Sequence, residues 1–291
     1  MSYKTLLVPV ERPKTARFAL RHALGLARDW DAHVEVFHPQ VDPALTLPPV
    51  FDGLSGVAFA PDLIAQAQQA AEELKGEIRK MVDDILVEVG MADVPRTRQR
   101  GLSVVFDTVV GAPERLVGAR ARLADATVIA RTPAAVSRGE ADSLSGALWS
   151  SGHPVMMVPG IEDTPVAATA PKRIVVAWNG SLEATRALSA ALPVLKQAEA
   201  VDVVTFDHAV DAAGLARVAA YLAGHGVDAR TSDVATEGYL LSKALFDRVI
   251  ERGGDLIVMG AYTHSRVREY LLGGLTQEIL DGAPVPVLFA H

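Results

Sequence analysis

The chain has 291 residues of 49% apolar composition, enough for two ordinary domains with a core each, which argues against a disordered polypeptide. It contains no cysteine, which excludes disulfides, thiolate metal sites and a cysteine nucleophile. A net charge of -7, from 28 basic and 35 acidic residues, works against a general nucleic-acid backbone binder.

In chain order, Lys4-Thr5-Leu6-Leu7-Val8-Pro9-Val10 reads as a buried strand. No basic start with a long apolar run precedes it, and no apolar run approaches the roughly 20 residues of a membrane helix, so a cytoplasmic protein without a membrane partner is expected. Ala16, Ala19, Leu20, Ala23, Leu24 and Ala27 then recur at helical spacing, and Val34 to Phe37 reads as a second strand. The proline-rich segment Gln40 to Pro61, with Gly53-Leu54-Ser55-Gly56, reads as a long irregular insertion, open to a lid role over a site. Leu63, Ala67, Ala70, Leu74, Ile78, Met81, Ile85 and Val89 form one stripe of a long helix, expected to be core packing. Glu72-Glu73 and Asp83-Asp84 fall on its polar side as solvated charges. Ala126 to Ile129 and Val155 to Val158 are further strands, the latter closing the first half.

A second copy follows. Lys172-Arg173-Ile174-Val175-Val176-Ala177-Trp178 repeats the opening strand, and Ala184, Ala187, Leu188, Ala191, Leu192 and Leu195 repeat the helical spacing. Val201 to Phe206, Asp255 to Met259 and a closing Pro286-Val287-Leu288-Phe289-Ala290 complete it. Short apolar strands alternating with helices indicate mainly parallel sheets with helices on both faces. The boundaries are a first domain at 1–159 with its insertion near 40–61, a linker at 160–171, and a second domain at 172–291. The apolar closing strands Val155 to Val158 and Val287 to Phe289 would be aggregation-prone edges if left bare, so they are expected to pair with each other. A single sheet continuous through both halves, or Gly273–Gly274 amides buried with no cavity in front, is expected to overturn the ligand site in the second.

Chemistry concentrates after the strand ending at Met259, in Gly260-Ala261-Tyr262-Thr263 and onward to Gly273-Gly274-Leu275-Thr276. A glycine leaves the strand and a glycine pair opens a helix, whose amides and macrodipole suit an anion such as phosphate. Arg266 and Arg268 between them could supply charge to the anion or stand as solvated charges and partners of Glu269, and His264 could touch a phosphate or be an ordinary loop histidine.

Here the sequence resembles the universal stress protein family over nearly its whole length, as a tandem pair. The resemblance implies adenine nucleotide α-hydrolase-like, Rossmann-like domains, each a mainly parallel five-stranded sheet. ATP-binding members carry G-x2-G-x9-G-[ST] in this place. The chain keeps the spacing with Gly260 and Gly273, but has Thr263 at the second glycine and Gly274 at the Ser/Thr position. Carried over, the resemblance places Gly260, Thr263, Gly273, Gly274 and Thr276 about the phosphates of ATP or another adenine nucleotide. Tyr262 and Phe206 would lie near the ribose and adenine, and Trp178 joins the cofactor-binding residues, with Trp178 and Tyr262 filling the adenine space themselves left as an alternative. Asn179 takes the place of the aspartate that nucleotide-binding members carry after the first strand, and Ser181 reads as a helix N-cap. In the first half Glu11 stands there instead, and Ala130-Arg131-Thr132-Pro133 has no glycine pair, so that half is expected to be a partner domain without a ligand. Members dimerise through the closing strand, which implies an internal pseudo-dimer here and leaves a homodimer and a protein partner open.

No dinucleotide G-x-G-x-x-G, Walker sequence or G-x-S-x-G elbow is present. Leu144-Ser145-Gly146 reads as a turn before a helix. The histidines lack metal-ligand spacing, so no metal is expected beyond Mg²⁺ accompanying a nucleotide. The expected protein is a stress-response binding or regulatory protein rather than an enzyme, with slow ATP hydrolysis or a ligand-free scaffold as the alternatives.

Overall fold

The computed structural model describes residues 2–41, 50–52, 56–58, 61–131, 138–160, 169–261, 278–279 and 282–291. The first module runs β1 (Thr5–Pro9), α1 (Pro13–Trp30), β2 (His33–Gln40), β3 (Val50–Asp52), β4 (Gly56–Ala58), α2 (Pro61–Glu88), β5 (Ser103–Val110), α3 (Pro113–Ala121), β6 (Ala126–Ala130), α4 (Arg138–Ser150) and β7 (Val155–Val158). The second runs β8 (Arg173–Ala177), α5 (Leu182–Leu195), β9 (Ala200–Phe206), α6 (Ala212–Gly224), β10 (Ala229–Val234), α7 (Leu241–Arg252), β11 (Leu256–Gly260) and β12 (Val287–Ala290).

The local causes are visible in the residues. Pro13 fits the first turn of α1, where its missing N–H costs nothing, and Asp31 ends the helix in the left-handed conformation. In the second copy Ser181 caps α5 by accepting from the Ala184 N–H at 3.1 Å, as expected of it. Asp211 caps α6 in the same way through Gly214 at 2.7 Å.

Each module has five parallel strands, ordered β5-β2-β1-β6-β7 and β10-β9-β8-β11-β12, so the central strand of each is its first. β7 and β12 pair antiparallel, with Val287 opposite Met157, Leu288 opposite Met156 and Phe289 opposite Val155. The closing strands therefore satisfy each other, and the sheet is one ten-stranded sheet rather than two separate ones. Continuity arises only at this edge contact: the strand order of each module is intact, reversing between β1 and β6 and between β8 and β11, the position at which such sheets usually take ligands.

Alternation along the strands sends the core to both faces. Leu6, Val8, Ile174, Val176 and Leu288 lie in the layer beneath α1, α2, α5 and α6; Leu7, Val175, Ile257 and Phe289 lie in the layer beneath α3, α4 and α7. The layers also cross the seam, since the Tyr3 hydroxyl donates to the Ala190 carbonyl at 2.7 Å and Trp149 meets His291 edge-on at 4.1 Å.

Several expectations need correction. The Gln40 to Pro61 insertion is not wholly irregular, because β3 and β4 pair as an antiparallel hairpin. The stripe of α2 packs on the core from Leu74 onward and is buried at Ile78, Met81 and Ile85, whereas Leu63 is 43% exposed and Ala70 is exposed, so the first turns of this 28-residue helix are not core. Leu144-Ser145-Gly146 lies inside α4 rather than before a helix. There Gly146 is required by close packing, since a Cβ would sit 2.2 Å from the Glu114 carbonyl oxygen of α3. Gly146→Val is expected to lower unfolding free energy by about 2–3 kcal/mol, read as a lower urea midpoint.

Candidate functional site

The carboxyl ends of β8 and β11 stand side by side in the second module, with Met259 opposite Ala177. The chain leaves β8 through Trp178, Asn179 and Gly180, the last at φ +74°, and enters α5 at Ser181. Asn179 Oδ1 accepts from the Ser181 N–H at 3.1 Å, which folds the turn over the helix start. Gly260, the last residue of β11, faces that start so closely that a Cβ would lie 2.5 Å from Ala184 N and 2.6 Å from the Glu183 carbonyl carbon. Glycine is thus demanded here by strand-to-helix contact, and the contact brings the end of β11 onto the first turn of α5.

Of the other expected residues, Tyr262, Thr263, Gly273, Gly274 and Thr276, together with His264, lie outside the described residues. Asn179 is exposed, two residues beyond the end of β8. Trp178 and Phe206 are not brought together. Trp178 is half-buried against the core layer of α5 and α6, whereas Phe206, 6% exposed, belongs to the opposite layer with α7. One residue of strand alternation separates their faces.

Beyond Phe206 the backbone is unusual, because Asp207 and His208 are both left-handed, at φ 49° and 56°. Two side chains hold this turn to the end of β10. Asp207 accepts from the Thr236 N–H at 2.8 Å and from its hydroxyl at 2.6 Å, contacts that hold the carboxyl below its usual pKa. Asp233 accepts from the His208 N–H and pairs with its ring.

In the first module the corresponding crest differs. Glu11 accepts a short hydrogen bond from Ser143 of α4, so the carboxylate is turned into its own module. Arg131 donates to the Ala283 carbonyl of the second module at 3.0 Å.

The repeat also duplicates a buried charge. Glu35 pairs in register with Leu7, and Asp202 with Val175, so the two acids hold equivalent places on β2 and β9. Glu35 meets Arg120 of α3, whose guanidinium lies 4.5 Å from the Phe37 ring centroid and also reaches Asp107 at 2.6 Å. Burial opposes the Arg120 charge, but the hydrogen bonds to Asp107 and Glu35 outweigh it and raise its pKa. Asp202 lies 3.9 Å from Arg248 and 3.4 Å from Arg252 of α7. These pairs are under the helices, remote from the crests, and are structural.

Two cavities flank the second crest. One of about 520 Å³ lies between the end of β10 and α7, lined by Thr236, Glu237, Tyr239 and Lys243 among others. Its cations are matched, Lys243 by Asp247 at 2.6 Å and Arg248 by Glu251 at 2.8 Å. The other, about 370 Å³, lies between α5 and α6, with Trp178, Leu188, Val218 and Tyr221 as its apolar walls. Sequence reading did not single out this second cavity. Among the described residues no group of three or more His, Asp or Glu is placed to hold a metal, and no helix is long and apolar enough to cross a membrane.

A sequence model described as the universal stress protein family matches residues 2–146. The match falls on the half whose crest departs furthest from the nucleotide-binding pattern. A universal stress protein from Archaeoglobus fulgidus DSM 4304 is similar in fold, with a TM-score of 0.66 at 16% identity over 98% of this chain and 95% of that one. A putative universal stress protein from Pseudomonas aeruginosa UCBPP-PA14 gives 0.55 at 13% identity over 99% and 93%. At such identities the likeness concerns the fold. No curated protein matches the chain.

Proposed function

Because the chain belongs to the universal stress protein family, we propose that it is a cytoplasmic stress-response binding or regulatory protein that takes an adenine nucleotide at the crest of its second module. The observation that supports this is the packing of Gly260 onto the start of α5, the helix entered through the Asn179 turn, where the strand order of the module reverses. A helix start with its macrodipole favours phosphate, and crevices at a strand-order reversal are the usual ligand sites of such sheets. Gly260 would border the phosphates with Gly273, Gly274, Thr263 and Thr276 of the following loop, Asn179 contacting the nucleotide away from the phosphates and Tyr262 lying near the ribose. Mg²⁺ would enter only with the nucleotide. Phe206 is committed to the core and is not assigned to adenine recognition. The first module acts as the packing partner.

Binding without turnover is the expected behaviour. Mass spectrometry of freshly purified, denatured protein is expected to release an adenine nucleotide, and calorimetry to show ATP binding. Asn179→Asp, which restores the carboxylate of nucleotide-binding relatives, is expected to tighten ATP by about tenfold, or ~1.4 kcal/mol. Wild type and Asn179→Asp both silent toward ATP at millimolar concentration would contradict the proposal.

A further inference from the structure

The two copies of the repeat differ at one place that the nucleotide reading does not use. Aligning Lys4 with Lys172 sets Arg17 and Arg21 of α1 against Thr185 and Ser189 of α5. In the first module Arg21 spans the gap to α2, pairing with Glu88 at 2.7 Å. The Nε atoms of both Arg17 and Arg21 are buried. In the second module the shorter Thr185 and Ser189 leave that gap open, and both line the cavity of about 370 Å³ between α5 and α6. Gly214 on the facing helix lines it as well.

The cavity has a definite chemical character. Trp178, Leu188, Val218 and Tyr221 supply apolar walls, one end being an indole. Arg217 also lines it, with Nη2 3.9 Å from where a Gly214 Cβ would stand. Among the described residues no carboxylate pairs with Arg217; Asp211 nearby is engaged in capping α6 through Gly214. An arginine lacking an acidic partner beside an apolar space selects an anion with an apolar body, and the guanidinium fork suits a carboxylate. The volume is that of a small ligand rather than a peptide.

We infer that the α5–α6 cavity of the second module binds a small aromatic carboxylate, its ring against Trp178 and its carboxylate on Arg217. The cavity shares Trp178 and Gly180 with the edge of the nucleotide crest but runs from there between α5 and α6 to Ser189 and Tyr221, and the inference does not rest on the nucleotide reading.

Calorimetric titration of the full chain with 2-naphthoate, beside uncharged 2-naphthalenemethanol, tests this. Wild type is expected to bind naphthoate. Arg217→Gln is expected to weaken naphthoate by about tenfold to a hundredfold and to leave the alcohol unchanged, as loss of one charge-assisted contact requires. Ser189→Arg, which installs the residue of the first module, is expected to abolish both; Thr185→Arg serves equally if that variant does not fold. Saturating ATP is expected to leave naphthoate binding intact. Absence of naphthoate binding by wild type at millimolar concentration overturns the inference. So does undiminished binding by the folded arginine variants, an Arg217→Gln effect equal for acid and alcohol, or displacement by ATP.

Discussion

Leu288→Asp is expected to abolish cooperative folding of the whole chain. Leu288 is fully buried on β12, faces Met156 across the antiparallel seam, and lies in the core layer shared by both modules. A carboxylate there would lose its water without gaining a partner, at a cost of about 4 kcal/mol or more, a large part of the stability of an ordinary domain. The loss would not stay local, because the seam unites five strands with five. Urea unfolding followed by circular dichroism reads the effect as a collapse of the midpoint. Leu123→Asp, at a side chain 79% exposed, is the control and is expected to change stability by no more than about 0.5 kcal/mol.

The second large effect is acid sensitivity centred on His22. This α1 side chain is 3% exposed, its Nε2 has no hydrogen-bond partner, and burial lowers its pKa from 6.5 to about 4. The unfolded chain takes up the proton first, so the neutral-histidine contribution is complete above pH 6.5 and is lost as pH falls toward 4. At 1.36 kcal/mol per pKa unit the loss is about 3 kcal/mol. His33 and His38 are also lowered, chiefly by burial, and act with the same sign. His22→Leu is expected to flatten the slope of stability against pH across that window. An unchanged slope would mean that the ring is hydrated in solution.

The duplicated β-α opening was legible because Leu6-Leu7-Val8 and Ile174-Val175-Val176 are apolar on both faces, as central parallel strands must be. The seam was legible for a related reason: Val155 to Val158 and Val287 to Phe289 are too apolar to stand as bare edges. β10 escaped notice because Ala229-Arg230-Thr231-Ser232-Asp233-Val234 is an outer strand whose residues are largely exposed or half-buried, and so carries no apolar run. β5 did so because its apolar start passes into Asp107-Thr108 and an exposed end. At the crest, the glycine and asparagine were visible as residue types, and Gly260 is indeed held by backbone contact. The separation of Trp178 from Phe206 follows from strand alternation and was open to counting: Val176 and Trp178 share one face, Val204 and Phe206 the other. The α5–α6 cavity had a signal too, in the replacement of Arg17 and Arg21 by Thr185 and Ser189 between aligned copies. A gap between helices becomes apparent only when both walls are in place.

Amide hydrogen exchange with and without saturating ATP tests the central claim most directly. Added protection is expected at residues 180–184, where α5 begins, and at Gly260 and Ala261, with the first-module crest at Glu11 and Ala130 unchanged. Protection confined to the first module, or none in either, would contradict it.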